Sequence, residues 1–224
     1  MTRKALGIAS AAIVVALLGV AVTVGNNLPP DLRLPTHWGI DGRPDDFSGK
    51  WPALLMPAGL TAFVSLLFWF LPTIEPRGVN FSRSTGLYLS TWAALLLVMV
   101  GIDVAILSGA LHWDLPVDRI IPFSVGLLFV IMGNQLGKSR SMYLVGIRTP
   151  WTLASEEVWM KTHRLGGKLM VLGGLVMVVG AFVTLPARTE AILYGTVLAI
   201  VVLVPIVYSY MIWRREQRGD QSNG

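Results

Sequence analysis

The sequence predicts an all-α, polytopic helical membrane protein with about six transmembrane helices and both termini in the cytoplasm. Of its 224 residues, 54% are hydrophobic and only 14% are charged, which leaves too few polar side chains to cover a soluble domain of this size. The apolar residues lie in six runs, each close to the ~20 residues that cross a bilayer. The basic residues gather in alternate loops. These observations predict a multi-pass protein of the cell's inner (plasma) membrane.

Each apolar run is expected to form one helix, and the six runs cover residues 5–24, 52–70, 87–109, 120–136, 169–185 and 191–213. Arg3 and Lys4 precede the first run, as they would in a signal peptide. The run exceeds the roughly 7–15 apolar residues typical of such a peptide, which favours a retained span. Glycines crowd the fifth run and predict close packing against neighbouring helices.

The distribution of basic residues predicts the orientation. Most of the 18 Lys and Arg residues fall on the side of the N-terminus, and those on the opposite side are Arg33, Arg43, Lys50, Arg119 and Arg188. Cytoplasmic loops carry the excess of Lys and Arg. We therefore expect loop 25–51 outside the cell, and loop 137–168 and both termini in the cytoplasm.

Three segments are predicted along the chain. Residues 1–72 hold the first two spans with the outer loop, residues 73–136 hold spans three and four, and residues 137–224 hold an inner signature loop (137–168) and the last two spans. The chain has no cysteine, which excludes disulfides and thiolate metal sites. The formal net charge is +5. The basic residues flank the apolar runs and form no continuous basic face, so no direct contact with nucleic acid is predicted. No cofactor motif is present, and no cofactor is predicted.

The outer loop combines turn-forming residues with aromatic side chains suited to the membrane interface. His37 lies near Asp41 and Asp45, and His112 lies near Asp114. These spacings match neither a zinc motif nor a calcium loop, so no metal site is predicted. The alternative of a membrane-embedded hydrolase, with a site formed by His37, Asp41 and Asp45, stays open.

Asp103 is the only acidic residue inside an apolar run. A carboxylate at membrane depth is expensive and normally faces a partner or a water-filled cavity. It is a candidate proton or cation site that could pair with Arg119 or His112. The alternative is a helix that ends early and leaves Asp103 at the interface.

The inner loop contains a second set of local signals. Pro150 prevents a helix from continuing through the residues before it. Ser155, followed by two glutamates, is typical of a helix N-cap. In the helix that follows, Trp159, His163 and Gly166 are expected on one face. The alternative for this helix is a juxtamembrane amphipathic segment whose basic residues meet anionic lipid.

Four motifs in this region resemble the signature of the Sdp immunity protein (SdpI-like) family of bacterial integral membrane proteins. They are Met-Gly-Asn-Gln at 132–135, Gly-Ile-Arg-Thr-Pro-Trp-Thr-Leu at 146–153, Val-Trp at 158–159 and Lys-Thr-His-Arg-Leu-Gly-Gly at 161–167. The outer segment 34–47 with Lys50 resembles the domain of unknown function that accompanies this signature in longer members. One departure is Met142, which stands where the family often has Asn.

The resemblance implies an immunity or signalling protein, not an enzyme, that protects against a secreted toxic peptide and recruits a cytoplasmic repressor, with membrane lipid around it. A small proton- or cation-coupled transporter is the main alternative. The candidate inner recognition residues are Asn134, Gly146, Arg148, Thr149, Trp151, Thr152, Trp159, His163 and Arg164. The candidate outer recognition residues are Pro35, His37, Trp38, Gly42 and Lys50.

Overall fold

The computed structural model describes residues 2–39, 43–113 and 115–222, with side chains as far as Arg218. Its elements in chain order are α1 (Arg3–Asn27), β1 (Arg33–Trp38), β2 (Pro44–Gly49), α2 (Lys50–Ile74), α3 (Gly78–Arg83), α4 (Thr85–Leu111), α5 (Val117–Leu136), α6 (Pro150–Ala154), α7 (Glu156–Gly180) and α8 (Ala187–Ser222).

Among the described residues, six helices are long and apolar enough to cross a membrane, namely α1, α2, α4, α5, α7 and α8. The predicted polytopic helical fold is confirmed. The fifth span differs most from its prediction, because α7 begins at Glu156 and ends at Gly180. Hydropathy alone misses its polar first turns. The helix predicted after Ser155 is therefore continuous with the span.

Two polar caps fix where α6 and α7 begin. The Ser155 side chain accepts a hydrogen bond from the Val158 backbone N–H at 3.2 Å, as predicted for an N-cap. Thr149 caps α6 by a reciprocal pair of hydrogen bonds with Thr152, and Pro150 occupies the first turn. Both helices therefore begin within the predicted loop 137–168, and from here on the signature loop means the residues before α6, 137–149.

The outer loop folds into a two-stranded antiparallel hairpin, which the sequence analysis missed. Leu34 pairs with Ser48, and the register shifts on either side of His37. Leu34 is buried in an apolar cluster with Leu54 and Ile106, which anchors the hairpin to α2 and α4. We call this part of the bundle, with residues 28–52, the hairpin end.

The α5 and α7 backbones touch at two glycine pairs. A Cβ atom added to Gly174 would lie 2.5 Å from the carbonyl oxygen of Gly126. One added to Gly133 would lie 2.7 Å from the carbonyl oxygen of Gly167. Because the obstructing atoms belong to the backbone, they cannot rotate away. The glycines predicted to support helix packing therefore set the approach of these two spans.

A single buried cluster joins residues from the three predicted segments, including Leu6, Trp92 and Trp159. Opposite the hairpin end, residues 75–84 and 137–155 pack together and form what we call the signature end.

The division into three segments stays a prediction, and so does the orientation of the protein in the membrane.

Labelling tests the orientation cleanly, because the chain has no cysteine. Ala154 at the signature end and Asp46 at the hairpin end are both exposed. We expect an impermeant thiol reagent applied to intact cells to label Asp46→Cys and to leave Ala154→Cys unlabelled until the cells are lysed. Labelling of Ala154→Cys in intact cells would reverse the assignment.

Candidate functional site

The signature loop is held at its start by Glu75, a buried residue at the C-terminus of α2. The Glu75 carboxylate accepts hydrogen bonds from the backbone N–H groups of Tyr143 (3.1 Å), Leu144 (2.8 Å) and Arg77 (3.0 Å). Hydrogen bonds to a charged acceptor are stronger than neutral ones. One side chain thus ties the loop to the end of the second span.

Arg77 extends this attachment across the loop. Its guanidinium donates to the Leu153 carbonyl at 3.1 Å and to the Ser141 hydroxyl, and it lies 4.5 Å from the centre of the Tyr143 ring. Asn80 donates to the Ser141 carbonyl at 2.9 Å. The linker after α2 therefore holds both the loop and α6.

Trp159 and His163 form the centre of the site, stacked with their ring centroids 3.8 Å apart and both fully buried. The Ile147 N–H donates to His163 Nε2 at 2.9 Å, so Nε2 must be unprotonated. Nδ1 faces the Trp159 carbonyl at 2.8 Å and must carry the proton. This pair of contacts selects one neutral tautomer of His163. The predicted shared face of Trp159 and His163 is confirmed.

Gly146 packs directly against this stacked pair. Its φ is +119°, a region that glycine populates and other residues avoid. An added Cβ would lie 2.6 Å from His163 Nε2 and 2.7 Å from Trp159 Cη2. Both backbone and space therefore require glycine here.

The short helix α6 docks on α8 through Trp151. The Trp151 indole N–H donates to the buried Ser209 hydroxyl. Its ring centroid lies 5.3 Å from that of Tyr210 and 6.3 Å from that of Trp213. The loop is consequently linked to the last span as well as to the second. Ser209 was missed by sequence reasoning.

The nine predicted inner residues do not form one patch. Arg148 is exposed, and its guanidinium donates to the Tyr143 carbonyl at 2.8 Å. Asn134 and Arg164 lie elsewhere, in a groove between α5 and α7. The members that fill the loop interior are Gly146, Thr149, Thr152, Trp159 and His163.

At the hairpin end the predicted residues also separate. Pro35 and Trp38 line a cleft, whereas His37 is exposed with its Nδ1 2.5 Å from an Asp45 carboxylate oxygen. Lys50 is buried, and its ammonium donates to the carbonyls of Gly25 (2.8 Å) and Leu28 (2.6 Å). Lys50 therefore stabilises the end of α1. Gly42, Asp41 and Asp114 lie outside the described residues.

Asp103 is buried within α4, eight residues before the helix ends at Leu111. The alternative of an early helix end is therefore wrong. Arg119, one predicted partner, donates instead to Thr184 at 2.8 Å. His112 forms the left-handed C-cap of α4. In the described ranges no side chain hydrogen-bonds the Asp103 carboxylate, and no three metal-ligating residues cluster.

The sequence of this site matches a known family. Residues 138–209 match the SdpI/YfhL protein family, and residues 12–62 match a domain of unknown function, DUF1648. Immunity protein SdpI of Bacillus subtilis (strain 168) is 27% identical over 170 residues, which are 75% of this chain and 82% of that protein. The segment 138–209 therefore carries the sequence of the SdpI/YfhL family. The chain is accordingly a multi-pass protein of the bacterial plasma membrane. No solved structure matches it.

The SdpI/YfhL match contains the loop, α6, α7 and α8 as far as Ser209, the residue that holds Trp151. Glu75, Arg77 and Asn80 lie outside both matched regions. One signal in the sequence could have revealed Glu75, because no other acidic residue occurs between Asp46 and Asp103.

Proposed function

We propose that this protein is a membrane immunity protein that protects its cell against a secreted toxic peptide and recruits a cytoplasmic regulator. The similarity to Immunity protein SdpI, over three quarters of the chain, carries the proposal. The loop geometry supports a binding role, since a rigid loop tied to α2 and α8 presents its outer side chains at low entropic cost.

The toxic peptide is assigned to the cleft at the hairpin end. This cleft has a volume of about 490 Å³ and lies between the hairpin and the ends of α4, α5 and α8. Trp38 and Trp113 supply apolar walls. The charged lining consists of Asp118, Glu190 and the cation Arg43, so acidic groups outnumber basic ones. Such walls suit an apolar peptide segment that carries a basic group.

The regulator is assigned to the signature end. A groove of about 480 Å³ separates the linker after α2 from α6 and is lined by Arg77, Asn80 and Leu153. Val79 beside them is 68% exposed. Arg148 projects from the same end and offers the planar, forked donor that binds carboxylates at protein interfaces.

The two assignments predict separable defects. Trp38→Ala should raise sensitivity to the peptide at least about tenfold, since buried interface tryptophans contribute about 2 kcal/mol or more. It should leave recruitment of the regulator intact. Arg148→Lys should impair recruitment and leave survival intact, because an ammonium cannot reproduce the fork.

Survival of toxin-exposed cells and membrane capture of the regulator measure the two effects at matched membrane abundance. Phe47→Ala is the control for Trp38, since Phe47 is an exposed hairpin aromatic that does not line the cleft. Arg215→Lys is the control for Arg148, since Arg215 is an exposed arginine of α8 outside the signature end. Full survival of Trp38→Ala would overturn the outer assignment, and normal capture by Arg148→Lys would overturn the inner one.

A further inference from the structure

A second groove lies between α5 and α7, next to the start of the loop at Gly137 and Lys138. It has a volume of about 520 Å³. Its floor is the contact between the Gly133 and Gly167 backbones. Polar side chains line one part and apolar side chains the other.

The polar part carries three cations without acidic neighbours in its lining. Lys138, Arg164 and Lys168 are all exposed, and among the described residues none of their side chains has an ion-pair or hydrogen-bond partner. Lys161 lies one turn before Arg164 on α7. Unlike the three groove cations, it forms an ion pair with Glu157. Like charges at i and i+4, such as Arg164 and Lys168, repel each other unless an anion lies between them.

The apolar part continues along the same stripe of α7. Leu172 follows Lys168 by four residues, and Leu175 and Val179 continue the stripe at helical spacing. Leu172 is 61% exposed, Leu175 46% and Val179 61%. Lys168 immediately precedes the predicted apolar run at 169–185. The change from cations to exposed hydrocarbon therefore falls where the span enters the bilayer.

We propose that this groove binds an anionic phospholipid. The phosphate contacts Lys138, Arg164 and Lys168, the Asn134 amide hydrogen-bonds the headgroup, and an acyl chain lies along Leu172 and the residues that follow. Basic pockets between helices at a membrane surface are suited to anionic headgroups. A free phosphate would use only the cations, whereas a phospholipid matches both halves of the groove.

Thermal unfolding of the purified full chain in a neutral detergent tests the proposal. Phosphatidylglycerol should raise the unfolding midpoint, whereas phosphatidylcholine with the same acyl chains and inorganic phosphate should not. The double variant Arg164→Gln/Lys168→Gln should need roughly 25-fold more phosphatidylglycerol for half of the effect, because each basic residue near an anionic surface contributes about a fivefold factor.

Two further variants make the result specific. Arg214→Gln/Arg215→Gln removes two exposed cations of α8 outside the groove and should leave the half-effect concentration within about twofold. Arg164→Lys/Lys168→Arg keeps both charges and should retain the response. Equal protection by phosphatidylcholine or by inorganic phosphate would overturn the proposal. So would an unchanged response in Arg164→Gln/Lys168→Gln, or an equal loss in the α8 variant.

Discussion

Gly146→Ala is expected to disorder the signature loop and to abolish its function. A methyl group at this position meets His163 Nε2 at 2.6 Å and Trp159 Cη2 at 2.7 Å. Neither ring can withdraw, because the two rings stack on each other and are fully buried. Forcing alanine to a φ of +119° costs about 1–3 kcal/mol, and overpacking costs about the same again.

Loss of the loop should appear as a lower unfolding midpoint, faster proteolysis within residues 138–149, and loss of regulator capture. Gly59→Ala is the matched control, because Gly59 is an exposed glycine of α2, and no atom of another element lies within 4 Å of an added Cβ. Alanine there should be neutral or slightly stabilising. A Gly146→Ala protein with the proteolysis rate of Gly59→Ala would contradict the packing described for the loop.

The sequence could predict the helices and caps because their signals are local. Apolar runs locate the spans, and Ser155 with two following glutamates locates the start of α7. The face shared by Trp159 and His163 follows from helical periodicity alone. The hairpin gave no comparable signal, since its strands are short and contain Pro35 and Pro44.

Other features could not be predicted because they depend on contacts between distant segments. The sequence predicts Lys50 as an outer recognition residue. In the structure its ammonium instead donates hydrogen bonds to the carbonyls at the end of α1. Arg164 and His163 are neighbours in sequence, yet His163 lies inside the loop and Arg164 lines the lipid groove. One helical step of about 100° separates interior from surface.

Glu75 is the strongest case of such a distant contact. We expect Glu75→Ala to weaken the attachment of the signature loop to α2 strongly. Removal of the carboxylate leaves the N–H groups of Tyr143, Leu144 and Arg77 without the acceptor that now satisfies them. These hydrogen bonds are part-buried, and a donor left without an acceptor in a buried site costs about 1–3 kcal/mol, which is the upper bound here. The loop would therefore detach from α2 even though no residue of the family signature has changed.

Substitution of Glu75 by glutamine removes the negative charge and keeps the size of the side chain, so it tests the charge alone. Glu75→Gln keeps one acceptor oxygen but turns an amide NH₂ toward backbone donors, so its stability should fall between wild type and Glu75→Ala. Hydrogen exchange at the Tyr143 and Leu144 amides measures this order directly. Glu156→Ala is the control, because Glu156 is an exposed carboxylate that accepts a single hydrogen bond from Asn80. Equal exchange in Glu75→Ala and Glu156→Ala would mean that the loop is held by Arg77 and Trp151 without the buried carboxylate.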